Sequence, residues 1–206
     1  MKILLLADEP CRALYGEHTK ERLAGIDLIL CAGDLSYQYL EHIANFSCVP
    51  MLFVHGNHDK DKLDDIYGAT TPGGCINIED TIYTYKGYRF LGLGGCIRYN
   101  PRAKYQYTER QMKKRIKKLF FPLLQHRGFD VLLTHSPAAG INDGPDRAHK
   151  GFACFLTLME KYKPTLFVHG HVHMQYDVNL PRVCEYHDTM VVNAFERYVI
   201  ELPDRV

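Results

Sequence analysis

The chain has 206 residues, 46% of them hydrophobic and 24% charged, which is typical of a globular protein, and we predict a single domain over residues 1–206. The formal net charge of +1 at pH 7 excludes a strong overall field that would attract nucleic acid or a membrane surface. No apolar run reaches the roughly 18 residues that a transmembrane helix needs, and the apolar N-terminal stretch meets Asp8 too early for a secretory signal peptide.

The first third of the chain alternates short apolar runs with helical segments. The apolar runs, each typical of a buried strand, are residues 1–7, 27–32 and 51–55. Helices are predicted over residues 16–24 and 37–45, the second of them with Ser36 as its N-cap. This alternation of strands and helices favours a parallel sheet with crossover helices.

The middle of the chain has the pattern of a β-hairpin followed by a basic helix. Residues 82–85 and 88–93 are strand-like runs separated by two residues, which is typical of a hairpin. Thr108 and Gln111 have the spacing of a capping box and mark the start of the helix. Its lysines lie mostly off the apolar face, so we interpret them as a solvated face rather than a nucleic-acid-binding surface. Pro122 is expected to kink or end this helix.

The last part of the chain again combines apolar strands with a helix. The strand-like runs are residues 130–134, 165–168, 189–193 and 197–202. The amphipathic pattern over residues 151–162 predicts the helix. We find no internal repeat, no low-complexity segment and no interdomain linker, which agrees with the prediction of one domain.

The seven Cys residues are scattered along the chain without a Cys-x-x-Cys pair. Several of them lie within apolar runs, where a free Cys acts as a small hydrophobic side chain. An odd and unpatterned set argues for a reducing compartment rather than a disulfide scaffold. We therefore expect the protein to be cytoplasmic.

Five of the apolar strands end in residues that can bind a metal ion or transfer a proton. These residues are Asp8, Asp34, Asn57 with His58, His135, and His171 with His173. Open sheets with parallel strands bind ligands at the carboxyl ends of the strands, so this fold would bring the distant residues together. Carboxylate, amide and imidazole groups form a mixed set of nitrogen and oxygen ligands that suits Zn, Mn, Fe or Co. The sequence therefore predicts a site for divalent metal ions.

Four motifs in this set resemble those of the calcineurin-like metallophosphoesterases. They are Gly33-Asp34, Gly56-Asn57-His58-Asp59, His135 after an apolar strand, and Gly170-His171-Val172-His173. The motifs occur in the order of the family, and the resemblance spans nearly the whole chain. It implies an α/β fold, a four-layer sandwich of two mixed β-sheets flanked by α-helices. It also implies hydrolysis of a phosphate ester at two adjacent metal ions.

The resemblance assigns six residues to these metal ions. The first ion would be bound by Asp8 and His173, the second by Asn57, His135 and His171, and Asp34 would bridge the two. A hydroxide held between the ions would be the nucleophile at neutral pH, and the ion pair would stabilise the attacking and leaving oxygens.

Catalytic and substrate-binding roles are implied for residues that are not metal ligands. His58 would protonate the leaving oxygen or stabilise charge on the phosphoryl group, and Asp59 would orient His58 or serve as a turn residue. Arg98 lies in a Tyr-rich loop, and its guanidinium suits phosphate; the alternative is a solvated loop held by aromatic side chains. His55 and His169 precede motif residues, and we interpret them as packed residues rather than ligands.

One motif departs from the family. The family has Asp-x-His where this chain has Asp8-Glu9-Pro10, and Pro10 has no side-chain donor atom for a metal. Water or a nearby side chain such as Glu9 could replace the missing ligand, the first site could bind its ion weakly, or the protein could work with one ion. We therefore expect one or two divalent ions per chain, chosen from Mn, Zn, Fe and Co.

The resulting hypothesis is a metal-dependent phosphoesterase, with phosphodiesters favoured as substrates by the family alone. Two alternatives remain: a non-catalytic binding module that keeps the fold, and a single-metal phosphomonoesterase or nuclease. Pro10 supports the binding module, whereas an intact His58 opposes it. The expected partner is a phosphate-ester substrate and not a membrane. Nucleic acid is not favoured because the net charge is near zero, and the oligomeric state stays open.

Overall fold

Two mixed β-sheets form the centre of the computed structural model, which describes residues 1–59, 71–175 and 179–205. The strands of the first sheet are, in spatial order, β13 (Tyr198–Glu201), β1 (Lys2–Leu6), β2 (Leu28–Cys31), β3 (Met51–Phe53) and β4 (Cys75–Asn77). The strands of the second sheet are β11 (Val183–Tyr186), β12 (Thr189–Asn193), β10 (Leu166–His169), β9 (Val131–Thr134), β6 (Tyr88–Leu93) and β5 (Ile82–Tyr85). A short parallel pair, β7 (Cys96–Ile97) and β8 (Gln106–Tyr107), lies apart from both sheets.

The interior strands of both sheets are parallel. In the first sheet β1, β2, β3 and β4 pair in parallel, and in the second β6, β9, β10 and β12 do the same. The antiparallel neighbours are the edge strands β13, β5 and β11. The carboxyl ends of the parallel strands within each sheet therefore lie along one edge, which is the arrangement that the sequence predicts for the site.

Helices cover the outer faces of the two sheets. The first sheet carries α1 (Thr19–Arg22) and α2 (Tyr37–Phe46); the second carries α3 (Glu109–Lys118), α4 (Phe120–Gln125) and α5 (Ala153–Tyr162). Strand β1 shows how the layers separate, because successive side chains point to opposite faces of a sheet. Ile3, Leu5 and Ala7 join the core between the two sheets. Leu4 and Leu6 pack under the helices of the first sheet, which confirms the predicted four-layer sandwich.

Side-chain caps fix where two helices begin. The Ser36 hydroxyl accepts a hydrogen bond from the backbone N–H of Tyr39 at the start of α2. At the start of α3 the predicted capping box is present, because Thr108 and Gln111 each accept from the other's backbone N–H. Among the described residues, no helix is long and apolar enough to cross a bilayer.

The helix boundaries differ most from the sequence-based expectation at α1 and at the end of α3. The first helix covers Thr19–Arg22 instead of residues 16–24, because the Thr19 hydroxyl donates to the carbonyl of Gly16 and closes a turn there. The basic helix ends at Lys118, before Pro122, and a new helix begins at Phe120. Pro122 lies in the first turn of α4, where a backbone N–H has no intrahelical partner, so it fits without a kink.

Two glycines allow the ends of β2 and β3 to touch. A Cβ on Gly33, whose φ is +93°, would lie 2.3 Å from the backbone nitrogen of Gly56. A Cβ on Gly56 would lie 2.0 Å from Oδ1 of Asp34. Side chains are therefore excluded at both positions, and this close approach brings Asp34 beside the turn that carries Asn57.

We predict that Gly33→Ala destabilises the protein by ~3 kcal/mol or more, because strain at positive φ adds to a backbone clash. Gly25→Ala is the matched control, since Gly25 also has a positive φ, of 75°, but has open space around it. It should cost only about 1 kcal/mol. Urea unfolding of both variants checks this, and equal losses would show that the contact between the two glycines does not constrain the fold.

Candidate metal centre

Three residues from distant parts of the chain form a compact cluster at the strand ends. Asp34 follows β2, His135 follows β9, and His171 follows β10. Each offers one ligand atom, and these atoms all lie within 4.8 Å of one another. One carboxylate and two imidazoles at this separation suit a divalent ion with nitrogen and oxygen ligands.

His135 is completely buried and is held between oxygen atoms on both sides of its ring. Its Nδ1 lies 2.7 Å from the carbonyl oxygen of Ala32, to which it donates a hydrogen bond. Its Nε2 lies 3.0 Å from Oδ1 of Asn57 and 3.3 Å from Oδ2 of Asp34. A nitrogen faced by two acceptor oxygens needs either a proton or a cation between them. The donor set around Nε2 therefore fits a metal ion.

The negative charge of Asp34 determines whether the His135 imidazole is protonated. Burial alone would lower the pKa of His135, but attraction to the Asp34 carboxylate outweighs it and raises the pKa to about 9. Burial would likewise raise the pKa of Asp34, but the neighbouring imidazole lowers it to about 2. Without an ion, the pair is therefore a carboxylate in contact with an imidazolium.

His171 is oriented by the loop that precedes α5. Its Nε2 lies 2.7 Å from the carbonyl oxygen of Ala148 and must carry the hydrogen of that contact. Its Nδ1 therefore keeps the lone pair that a metal ion requires. Burial lowers the pKa of His171 to about 3, so the ring is neutral near pH 7, which is the metal-binding form.

The Asp8 carboxylate is bound to the backbone of the loop that follows β10. Its two oxygens lie 2.9 and 3.1 Å from the backbone nitrogen of His171, which donates to them. Burial raises the pKa of Asp8 to about 7. Gly170 makes the approach possible, because a Cβ there would lie 2.9 Å from the Asp8 carboxylate.

Three of these residues have left-handed backbone conformations. The φ angles are +67° at Asp8, +58° at Asp34 and +68° at His171. Asp and His tolerate this region better than branched residues do, but each such position still costs free energy. Strain repeated at neighbouring strand ends is typical of functional sites.

The turn after β3 places Asn57 and His58 beside the cluster. The Asn57 amide nitrogen donates to the hydroxyl of Tyr99 at 3.1 Å, which directs its oxygen toward His135. The backbone nitrogen of His58 donates to Oδ1 of Asp34 at 2.7 Å, while the His58 residue itself is exposed at the rim. The Asp59 carboxylate accepts a hydrogen bond from the backbone of Gly56, so its described contact closes the turn.

The residues assigned to the first ion are less tightly gathered. The compact cluster found among the described residues does not include Asp8 or His173. His173 packs against Phe195 and has its Nδ1 3.8 Å from Oε1 of Glu9. Pro10 is exposed. The structure therefore gathers the residues predicted to bind the second ion more closely than those predicted to bind the first.

The Arg98 guanidinium is tied to its own loop. Its Nε and Nη2 each lie 3.2 Å from the backbone carbonyl oxygen of Gln106 and donate to it. Its neighbour Tyr99 extends to Asn57 and is 37% exposed. The predicted contact of Arg98 with substrate remains a prediction, and Tyr99 is the loop residue that reaches the site.

A supporting network lies behind the Asn57 turn. The ring of His55, buried as expected, stacks on Tyr105 with 4.5 Å between ring centroids. Its Nδ1 lies 3.2 Å from a Glu79 oxygen, and the other oxygen of that carboxylate accepts from the His55 backbone nitrogen at 3.1 Å. Sequence reasoning missed Glu79, which belongs to no motif, and it placed Tyr99 in the Tyr-rich loop without predicting its contact with Asn57.

The fold is a two-sheet α/β sandwich, and the cluster at its strand ends could hold a divalent metal ion. A sequence profile of the calcineurin-like phosphoesterase family matches residues 10–175. The chain therefore belongs to the calcineurin-like phosphoesterase family, which confirms the resemblance seen in its motifs. Comparison with curated proteins gives no significant match.

Solved structures of low sequence identity share this fold. One aligns with a TM-score of 0.69 and 15% identity over 97% of this chain and 94% of the other. The protein TT1561 of Thermus thermophilus aligns with a TM-score of 0.63 and 15% identity, over 95% of this chain and 89% of its own. GAP50, described as the anchor in the inner membrane complex of Plasmodium, aligns with a TM-score of 0.56 and 14% identity. This alignment covers 94% of this chain and 70% of GAP50. At these identities the likeness shows the fold alone.

We predict that Asp8→Asn stabilises the metal-free protein at pH 8. The pKa of Asp8 is raised above its unfolded value, so ionisation destabilises the folded state as the pH rises from about 4 through about 7. The Asn amide removes this cost, and the free energy of unfolding should increase by up to about 4 kcal/mol at pH 8, with the gain vanishing near pH 4.

Chemical denaturation in a chelator across this pH range measures the effect. Asp27→Asn is the control of opposite sign, because hydrogen bonds from Lys86 and the backbone of Lys2 lower the pKa of Asp27. It should lose stability at pH 8. A loss for Asp8→Asn that is the same at pH 4 and pH 8 would contradict the prediction.

Proposed function

We propose that the protein is a metal-dependent phosphoesterase that hydrolyses phosphodiesters. The observation that carries this proposal is the buried His135, whose Nε2 faces Asp34 and Asn57 while His171 offers a neutral nitrogen within the same cluster. Membership of the calcineurin-like phosphoesterase family supports the reaction class. The preference for diesters rests on the resemblance to that family.

The residues that would hold the divalent ions are those assigned from the motifs. Asp34, Asn57, His135 and His171 would hold one ion, and Asp8 and His173 would hold a second together with Asp34. Mn, Zn, Fe and Co suit this set of nitrogen and oxygen ligands. Such ions, when bound, supply Lewis acidity and a nucleophile near neutral pH.

His58 is the group of the chain that would transfer a proton. Its backbone is fixed by the hydrogen bond to Asp34, and the residue is exposed at the rim, so its imidazole can meet a substrate that enters from solvent. A positioned imidazole can donate a proton to a leaving oxygen. Tyr99 would hold the Asn57 amide in orientation by accepting its N–H.

A non-catalytic binding module is the second candidate. Pro10 is exposed and offers no side-chain ligand, and the compact cluster in the described part of the chain lacks Asp8 and His173. A site that holds one ion without turnover would agree with both observations. The metal content and the effect of His58 separate the two candidates.

We predict that His58→Ala lowers kcat on a chromogenic phosphodiester by roughly 10²- to 10⁴-fold, since a positioned general acid contributes that much. The metal content should stay the same because His58 would not be a ligand. His18→Ala is the matched control, as His18 is exposed and pairs with nearby Glu21. Activity that is equal in wild type and His58→Ala, or absent from both, would contradict the proposal that the protein is a phosphoesterase.

We predict that Pro10→His raises the metal content from about one to about two ions per chain, because it restores an imidazole ligand to the first site. Elemental analysis after equilibration with Mn or Zn measures the ratio. Pro203→His is the control, since Pro203 is exposed near the C-terminus. An unchanged ratio would show that the missing imidazole does not limit the first site.

A further inference from the structure

Helix α4 presents large apolar side chains to solvent. Phe120 is 58% exposed, Phe121 76% and Leu124 65%, and these three residues are called the α4 patch below. The rings of Phe120 and Phe121 contact each other edge to face, with 5.3 Å between their centroids. Only Leu123 among the residues of α4 is buried against the core. The patch therefore projects from the surface and is not part of the fold's packing.

The chain around the patch carries positive charge without acidic residues. Residues 110–129 contain no Asp and no Glu. Their Lys and Arg residues are Arg110, Lys113, Lys114, Arg115, Lys117, Lys118 and Arg127. Arg115 is bound to Asp80 and to the carbonyl oxygen of Gly94, and Lys113 is 3.6 Å from Glu109.

The remaining lysines of α3 are available to an external partner. Lys114, Lys117 and Lys118 are exposed, and the part of the chain that the structure describes shows no ion pair for any of them. Lys114, Lys117 and Lys118 lie in the last two turns of α3, within seven residues of Phe121 along the chain. Only Leu119 separates the two helices. Exposed basic side chains are thus followed directly along the chain by exposed apolar ones.

We propose that the α4 patch and the lysines of α3 dock the protein on the anionic surface of a lipid bilayer. Phe and Leu side chains enter the boundary between headgroups and acyl chains, and Lys side chains beside them attract anionic lipids. This surface has both components at adjacent positions. The proposal departs from the expectation of no membrane partner, which came from the net charge of the whole chain and not from its local distribution.

Charge and shape favour a bilayer over other occupants. A second copy of the chain would bring the same lysines into contact with one another, and like charges repel. A protein groove that receives a helix uses anchors spread over about two turns, whereas α4 has only six residues. Three protruding side chains are enough for shallow insertion into an interface, which is about 5–10 Å deep.

The patch lies away from the candidate metal centre. Arg89 of β6 donates hydrogen bonds to the carbonyl oxygens of His126 and Arg127. These hydrogen bonds hold the end of α4 beside the start of β9. His135 lies at the other end of that strand. Docking through α4 therefore leaves the strand ends that carry the metal ligands unobstructed.

A single tryptophan provides a direct test, because the natural chain contains none. Phe121→Trp is mixed with vesicles of phosphatidylcholine containing phosphatidylglycerol, and with vesicles of phosphatidylcholine alone. We expect a blue shift of the tryptophan emission and quenching by brominated acyl chains with the anionic vesicles. The neutral vesicles should give neither change. Cosedimentation of the wild-type protein should show the same preference and should weaken as salt is added.

Charge-removing variants test the role of the lysines. Lys117→Gln/Lys118→Gln should lower the partition coefficient on anionic vesicles by about 25-fold, which is about fivefold for each charge removed. Arg12→Gln/Lys20→Gln is the matched control, because it removes two exposed charges far along the chain from α3, and it should change binding little. Phe120→Ser/Phe121→Ser should abolish insertion while leaving the circular dichroism spectrum unchanged.

Three results would overturn the proposal. One is the absence of any emission change or cosedimentation with anionic vesicles at low salt. Another is binding that persists in both the lysine and the phenylalanine variants, which would place the contact elsewhere. The third is a dimer in analytical ultracentrifugation that Phe120→Ser/Phe121→Ser removes while vesicles are not bound, which would make a second copy the occupant.

Discussion

The structure depends on the position of one buried imidazole between its two sheets. His135 comes from the second sheet, yet it donates to the carbonyl of Ala32 and faces the carboxylate of Asp34, both of which belong to the end of β2 in the first sheet. A buried imidazole without partners would cost several kcal/mol, so these contacts fix how the sheets meet at this edge. The same contacts leave Nε2 directed at two oxygens, an arrangement whose donor atoms suit a divalent cation.

The other features of the edge make the metal-free site costly to fold. Asp8, Asp34 and His171 have positive φ angles, and burial raises the pKa of Asp8 and of Asp59. Each feature costs free energy on folding, although the three carboxylates accept backbone hydrogen bonds. A bound cation would offset the carboxylates that repel one another. Strain of this kind, placed where strands end and not within them, is typical of sites that are held ready for a ligand.

The sequence predicted the parts of this structure that local chemistry controls. Apolar runs indicated the interior strands, and Ser36 and Thr108 indicated helix starts because their hydroxyls accept nearby backbone N–H groups. Strand β11 was not predicted because it alternates exposed with partly buried residues and lies at a sheet edge. Tyr99 and Ala148 were also missed as neighbours of the site. Their contacts with Asn57 and His171 join distant loops, one of them through a backbone carbonyl that carries no sequence signal.

The α4 patch and the candidate metal centre lie near opposite ends of β9. The strand has four residues, and at about 3.3 Å per residue it spans roughly 13 Å. The α4 patch lies near its start and the candidate metal centre at its end. A bilayer bound at the patch would leave the exposed His58 facing water, so an ester that reaches the site would arrive from the aqueous phase. Docking would then determine where the protein acts without contributing to the choice of substrate, because none of the metal ligands belongs to α3 or α4.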